Sequence, residues 1–251
     1  MSAWMREDAP MPSLPRYREI DPPVALRDRV RKLWQFRSPE APSPPTRILP
    51  DGCIDLIWDG TQLFVAGPDR VAAMASIAPA TRLTGVRLAP GAARDLLGVP
   101  MHLLTGQRIA LDTLWGQHAE MLEDRLRHAP ASPAHQMLDV LAQRAARFDP
   151  RMAWLFTRLL AGDAPRVPQL ARELGISERA LRRHCLQHFG YGPKTLDRIL
   201  RLQRLLALAP QSASLTEAAL GAGYADAAHL VHDARDLARL SPTELVRQHG
   251  R

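Results

Sequence analysis

Three groups of side chains in this sequence stand at spacings that could do chemistry. His184 and His188 lie four apart in LRRHCLQHF with Cys185 between them, a helical spacing that suits a transition metal. Cys185 falls on the apolar stripe of that segment and no third ligand has a matching spacing, so no metal is expected there. Cys53 in PDGCIDL could attack an electrophile with a distant histidine as base, but the strand pattern around it accounts for a buried thiol without chemistry. His102, His118, His128 and His135 are scattered, and no Gly-rich phosphate loop, HExxH or GxSxG occurs. The two cysteines also lie outside any CxxC spacing. Neither an enzyme nor a cofactor is expected. The third group is Arg179, Arg182 and Arg183 in ISERALRRH, whose planar forks suit bidentate hydrogen bonding to guanine O6 and N7 from a helix lying in a major groove.

Length and charge bound what surrounds these residues. A chain of 251 residues exceeds the usual single-domain size, which predicts two modules, divided here as 1–149 and 150–251. With 46% hydrophobic and 24% charged residues it is too apolar for general disorder. No stretch approaches the roughly 18 uninterrupted apolar residues of a membrane span. The opening MSAWMREDAPMPSLP has acid and proline where a secretory signal has an apolar core, so a cytoplasmic protein is expected. Six of the seven net positive charges fall in 150–251, which suits a polyanion whose neutralisation releases counterions.

Prolines crowd the first 45 residues, and the start reads as a loose arm. Val24 to Phe36, with Leu26, Val30, Leu33 and Trp34 as its apolar side, fits a short helix or a strand equally well. From Thr46 the pattern is strand-like: RILPDGCIDLIWDG and TQLFVAGP read as a hairpin with Pro-Asp-Gly and Asp-Gly turns. Strands at 75–77 and 84–88 would extend it into a small antiparallel sheet or barrel. After Gly91 the period changes to helical. ARDLLG comes first, then LDTLWGQHAEMLEDRLRHA with Leu114, His118, Met121, Leu122, Arg125 and Leu126 recurring, then a helix opened by Ser132 and Pro133. The last third reads as seven short helices, at 151–160, 167–174, 178–189, 193–208, 215–222, 226–237 and 242–248, punctuated by Gly162, Gly175, Gly190, Pro210 and Gly223. The fold class expected is α+β: a small β-rich domain with following helices, then an all-α domain.

That last third contains a repeat. VPQLARELGISERALRRHCLQHFGYGP and LTEAALGAGYADAAHLVHDARDLARLSP share a short apolar helix, a Gly followed by a bulky apolar residue, a cap, a second helix, and a Pro opening the next. Gly175-Ile176 matches Gly223-Tyr224, and Leu181 matches Leu230 if the second turn is one residue longer. Each copy has the grammar of a helix-turn-helix, with Leu170, Leu174, Ile176, Leu181, Cys185 and Phe189 inward in the first. Glu178, Arg179, Arg182, Arg183 and Gln187 remain outward.

With the linking segment KTLDRILRLQRLLAL and the Ser-Pro near the end, these residues resemble the DNA-binding domain of AraC/XylS-type bacterial transcriptional regulators. The resemblance implies two recognition helices entering successive major-groove segments of double-stranded DNA. Carried onto matching positions, base-edge candidates are Arg179, Arg182 and Arg183 in the first unit and His229 and His232 in the second, with Arg198 and Arg235 toward phosphates. The second copy departs from the family pattern, which favours phenylalanine at Leu230 and Ala234 and Phe-Gly at Ala238-Arg239. Its core should therefore be looser, and the first unit should carry most of the discrimination. The N-terminal stretches ILPDGCIDLIWDG, FVAGPD and TGVRLAPGAARDLLG are similar to the sensor half of such regulators. That implies a small-molecule effector or dimerisation, with Asp51, Cys53, Asp55, Trp58 and Arg87 as pocket candidates. RNA polymerase and a second copy of the chain are the other partners compatible with this reading. The competing reading is a helical protein-interaction module without DNA, which would need an exposed apolar groove where the arginines stand. An RNA-binding protein would need exposed aromatics, and aromatic residues are only 5% of the chain.

Overall fold

The computed structural model describes residues 16–128, 132–162 and 165–249. The loose arm expected at the start lies outside the described residues. The β-rich part comes first: β1 (Arg16–Ile20), β2 (Val30–Arg37), β3 (Thr46–Ile48), β4 (Asp55–Trp58), β5 (Leu63–Ala66), β6 (Ala73–Ala75), β7 (Arg82–Leu88) and, after a first helix, β8 (Arg108–Ala110). Six strands form one antiparallel sheet in the order β1-β2-β7-β4-β5-β8, while β3 and β6 pair apart as a second sheet.

The expected hairpin is β4–β5. The Asp59 carboxylate closes its turn by accepting from the amides of Thr61 (2.8 Å) and Gln62 (2.9 Å), and Gly60 supplies the positive φ. The Pro50-Asp51-Gly52 turn closes no hairpin. Asp51 Oδ1 accepts from the Cys53 amide (2.9 Å) and Gly52 turns at φ +78, deflecting the chain so that β3 leaves the main sheet. The strand expected at 75–77 is displaced to Ala73–Ala75, and it pairs with β3 instead of extending the main sheet. The ambiguous Val24–Phe36 resolves into one 3-10 turn followed by β2. Leu33 pairs with Val86 and Trp34 with Gly85, so they face opposite sides of the sheet and share no apolar stripe. Gly85 is required there, since a Cβ would sit 2.0 Å from the Trp34 ring.

One sheet face, carrying Leu56, Trp58, Leu63, Val65, Val86 and Leu88, packs on four helices. They are α1 (Ala93–Leu97), α2 (Asp112–Trp115), α3 (Gln117–His128) and α4 (Pro133–Gln143). The single helix expected over 111–129 breaks at Gly116 (φ +54, ψ −135) into α2 and α3. Its inward stripe is Ala119, Leu122 and Leu126, while Met121 is 67% exposed. Ser132 and Pro133 open α4 as expected, though the Ser132 side chain makes no capping bond.

The helical third follows its expected segments closely: α5 (Pro150–Ala161), α6 (Val167–Glu173), α7 (Glu178–Phe189), α8 (Pro193–Leu208), α9 (Leu215–Gly221), α10 (Ala227–Asp233) and α11 (Pro242–His249). The one change of type is in 226–237, where α10 passes into a π turn over Ala234–Ala238 that ends at Arg239 with φ +58. Leu155, Phe156, Leu181, Phe189, Leu196 and Leu200 lie at the heart of a second core, separate from the one under the sheet.

The two parts touch. Gln203 Nε2 donates to Pro50 O (2.7 Å), Thr105 Oγ1 to Gly190 O (3.1 Å), Arg47 Nη1 to Ala238 O (3.1 Å) and the Ala72 amide to Leu237 O (2.6 Å). His188, buried on α7, donates from Nδ1 to Gly91 O (2.9 Å).

Candidate nucleic-acid interface

The duplication predicted from sequence is reproduced bond for bond. In the first copy the amide of Leu174 donates to Leu170 O, Gly175 to Arg172 O and Ile176 to Ala171 O. In the second, 48 residues on, Ala222 donates to Ala218 O, Gly223 to Leu220 O and Tyr224 to Ala219 O. Gly175 (φ +66) and Gly223 (φ +89) supply the left-handed step that these bonds require. The caps follow with the expected one-residue offset: Ser177 Oγ accepts from Ala180 N and Asp226 Oδ1 from His229 N. Both recognition helices, α7 and α10, are thus oriented by the same local device.

On α7 the apolar side is sealed, with Leu181, Cys185 and Phe189 fully buried and Phe156 6.0 Å from the Phe189 ring. The opposite side shows Arg179, Arg182 and Arg183, all exposed, at positions i, i+3 and i+4 that share one face. None of the three makes an ion pair among the described residues. Their forks are free to meet base edges or phosphates. Cys185, whose thiol burial pushes up to about 12, and His188 face inward, and no group of three metal-ligating side chains occurs among the described residues. Burial and the charge of Arg151 hold His184 below the ordinary histidine range.

α10 is different. His229 turns toward the linking helix: Arg201 Nη1 lies 2.8 Å from its Nε2, and the Tyr224 ring stands edge-on at 5.3 Å. His232 stays largely exposed, with its Nε2 3.1 Å from Asp236 Oδ2. Arg235 is exposed. Arg198 spends its fork on Asp233 (2.7 Å) and Asp236 (2.9 Å). Of the residues assigned to DNA, the structure leaves Arg179, Arg182, Arg183, His232 and Arg235 on the surface and ties His229 and Arg198 into the protein. At the departures from the family pattern, Leu230, Ala234 and Ala238 are all buried, and Arg239 adopts the left-handed conformation without being glycine.

The N-terminal pocket candidates divide. Asp51, Cys53, Asp55 and Arg87 come together: Arg87 pairs with Asp55 (3.1 Å), Asp51 (3.3 Å) and Glu19 (3.3 Å), and Arg31 Nη1 lies 3.4 Å from the Cys53 sulfur. Desolvation works against the Arg87 charge, and Asp55 and Asp51 outweigh it, holding the guanidinium protonated. Burial pushes the Asp55 carboxyl and the Cys53 thiol upward. Trp58 is a correction. It pairs in register with Thr84, shares the face of Leu56 and Val86, and is buried in the core on the side of the sheet opposite Asp55. Asp51, Cys53 and Arg87 line a cavity of about 150 Å³ completed by Leu200 and Gln203 of α8, and Asp55 stands behind it, paired with Arg87.

Two family models match the chain. Residues 170–248 match a helix-turn-helix domain of AraC type, and residues 18–110 match a domain of unknown function, DUF6597. The former covers both units of the C-terminal repeat and about a third of the chain. This regulator is therefore a DNA-binding transcriptional regulator built from a β-rich part with following helices and a C-terminal helix-turn-helix domain. No curated protein matches it. Among solved structures it is similar to ToxT from Vibrio cholerae O395, at 11% identity over 86% of this chain and 96% of that one, with a TM-score of 0.48. It is also similar to an apo lysine-to-alanine variant of ToxT from V. cholerae, at 9% identity over 97% and 100% of the two chains, with a TM-score of 0.44. Among the described residues no helix is long and apolar enough to cross a membrane.

Sequence reasoning missed Arg201 and Arg204, which organise the second unit from α8. Their recurrence with Arg198 at every third residue, opposite Asp233 and Asp236 in a later segment, was the signal available.

Proposed function

We propose that this regulator reads duplex DNA with α7 and α10 in successive major-groove segments, and that Arg179, Arg182 and Arg183 supply most of its sequence discrimination. The supporting observation is the contrast between the two helices: three exposed arginines without ion pairs on α7, against an α10 whose His229, His232 and Asp233 are all engaged within the protein and which leaves only Arg235, just beyond it, without an ion pair among the described residues. His232 and Arg235 then add contacts from the second unit, with Arg235 suited to phosphate. A division at 149/150 accords with the side chains of each core, Phe148 packing under the sheet and Met152 in the helical core. The same reading gives the cavity beside Asp51, Cys53, Asp55 and Arg87 to a small polar effector. Its contact with α8 would couple occupancy to the DNA-binding part.

The test is fluorescence anisotropy with duplex DNA selected by the wild type from a random pool, compared with scrambled DNA across a salt series. Arg182→Ala should lose about 1 to 3 kcal/mol of preference for the selected sequence. Equal binding to both DNAs by the wild type, vanishing with salt, would leave only a basic surface.

A further inference from the structure

Arg198, Arg201 and Arg204 lie in neighbouring positions along one side of α8, and each grips a different part of the second helix-turn-helix. Arg204 donates from Nε (3.1 Å) and Nη2 (2.8 Å) to Ala222 O at the end of α9, and from Nη1 to Leu159 O on α5. Arg201 pairs with Asp197, reaches His229 Nε2 at the start of α10, and lies 5.5 Å over the Tyr224 ring in the turn. Arg198 spans Asp233 and Asp236 at the far end of α10. Asp233 is completely buried, so this last contact is set inside the fold.

The first unit is seated on apolar side chains of large area, Leu181, Phe189, Phe156 and Leu196 among them. The second buries Tyr224, Leu230, Leu237 and Leu245, but Ala218, Ala219, Ala222, Ala234 and Ala238 fill the rest of its core, and their single methyl groups offer fewer ridges to fix how far α10 is rotated about its own axis. Guanidinium forks supply what those alanines lack, because a planar group bonded at several points fixes both distance and angle.

We infer that Arg201, with Arg198 and Arg204 on either side, is the positioning residue that sets the rotation and distance of α10 relative to α7. The arginines of α8 thereby fix the spacing between the two DNA half-sites that the regulator accepts. His229 belongs to this fastening and not to the base-reading set. The inference rests on the reading of DNA by both helices.

The experiment uses the full chain and a duplex selected by the wild type from a random pool, with base pairs added or removed between its two halves. One base pair turns the second half-site by about 35° and shifts it by about 3.4 Å. Wild type should lose about tenfold or more in affinity per base pair of altered spacing. Arg201→Ala should lose less than about threefold, while a base change in the first half-site still costs both proteins the same factor. That last measurement doubles as a folding control. Asp236→Asn, at a half-exposed carboxylate, removes one of the two Arg198 partners with little demand on folding and should give an intermediate spacing penalty. The inference is overturned if both variants keep the full wild-type spacing penalty, whatever happens to overall affinity. A selected site with a single half also overturns it, while leaving DNA reading by α7 intact. Selection of no sequence at all removes the DNA-reading proposal and this inference together.

Discussion

Gly190 closes α7 at φ +84 and also abuts the N-terminal part, so replacing it tests how tightly the two parts are docked. A Cβ there would lie 2.5 Å from Pro68 Cγ, 2.7 Å from Thr105 Oγ1 and 3.2 Å from Met101 O. Gly98 ends α1 in the same conformation, at φ +79, with nothing within 4 Å of its would-be Cβ. Gly98→Ala therefore isolates backbone strain. Left-handed geometry costs an L-residue about 1–2 kcal/mol, partly offset by the reduced freedom of the unfolded chain, so a net loss of about 1 kcal/mol is expected. Gly190→Ala carries the same strain. It adds overpacking against Pro68, Thr105 and the Met101 carbonyl, for a total of about 3 kcal/mol. For a chain of this size each kcal/mol moves Tm by about 2–4 °C, so the two variants should differ by about 4–8 °C in differential scanning calorimetry. The Gly190→Ala trace should also separate toward two transitions as the parts uncouple. Equal Tm losses in the two variants would refute the reasoning, because they would mean that the contact yields to a methyl group without cost.

Arg239→Gly should stabilise the protein by about 0.5–1 kcal/mol, because relief of left-handed strain exceeds the added freedom of glycine. A denaturation midpoint that stays put or falls would show that the Arg239 side chain contributes something its conformation conceals. Asp149 caps α5 and pairs with Arg151 (2.7 Å), whose hydrogen bonds hold its carboxyl below the usual aspartate value. A lowered folded value means that this stabilisation is complete above about pH 4 and drains away as pH falls through the folded value. Asp149→Ala should accordingly cost about 1 kcal/mol at pH 7 and visibly less at pH 3. Thermal melts showing the same deficit at both pH values would count against the cap and the ion pair as its source.

Regular helices, the duplicated turn and even its one-residue insertion were legible because they are local: Gly175 and Gly223 announce a left-handed step, and Ser177 and Asp226 announce caps. β1 was not legible, since all five residues of Arg16–Ile20 are exposed and carry no alternation of burial. The three-residue strands β3 and β6 are too short to show a period, and their pairing joins segments 25 or more residues apart. Gly116 could have been read as a break in the long helix, but helical spacing on both sides of it masked the stop. Period two by itself separates Asp55 from Trp58, so grouping them overlooked a rule the sequence already contained. His229 lay beyond such rules. Its orientation depends on Arg201, 28 residues away on another helix, and no pattern within α10 reports that partner.

Among the described residues, the hydrogen bonds that the N-terminal part donates to the two helix-turn-helix units meet them at trailing ends. Thr105 donates to Gly190 O behind α7, and Ala72 and Arg47 donate to Leu237 O and Ala238 O behind α10. Carbonyls at a helix C-terminus form the negative pole of its dipole. Here those poles are covered by donors, while the positive poles at the other ends are opened by Ser177 and Asp226. Combined with a C-terminal third that holds six of the seven net positive charges, this arrangement gives the molecule a one-sided field. On the proposed reading, a duplex diffusing toward it would be steered to the side where the arginines of α7 stand, and its association rate should fall with ionic strength more steeply than net charge alone implies.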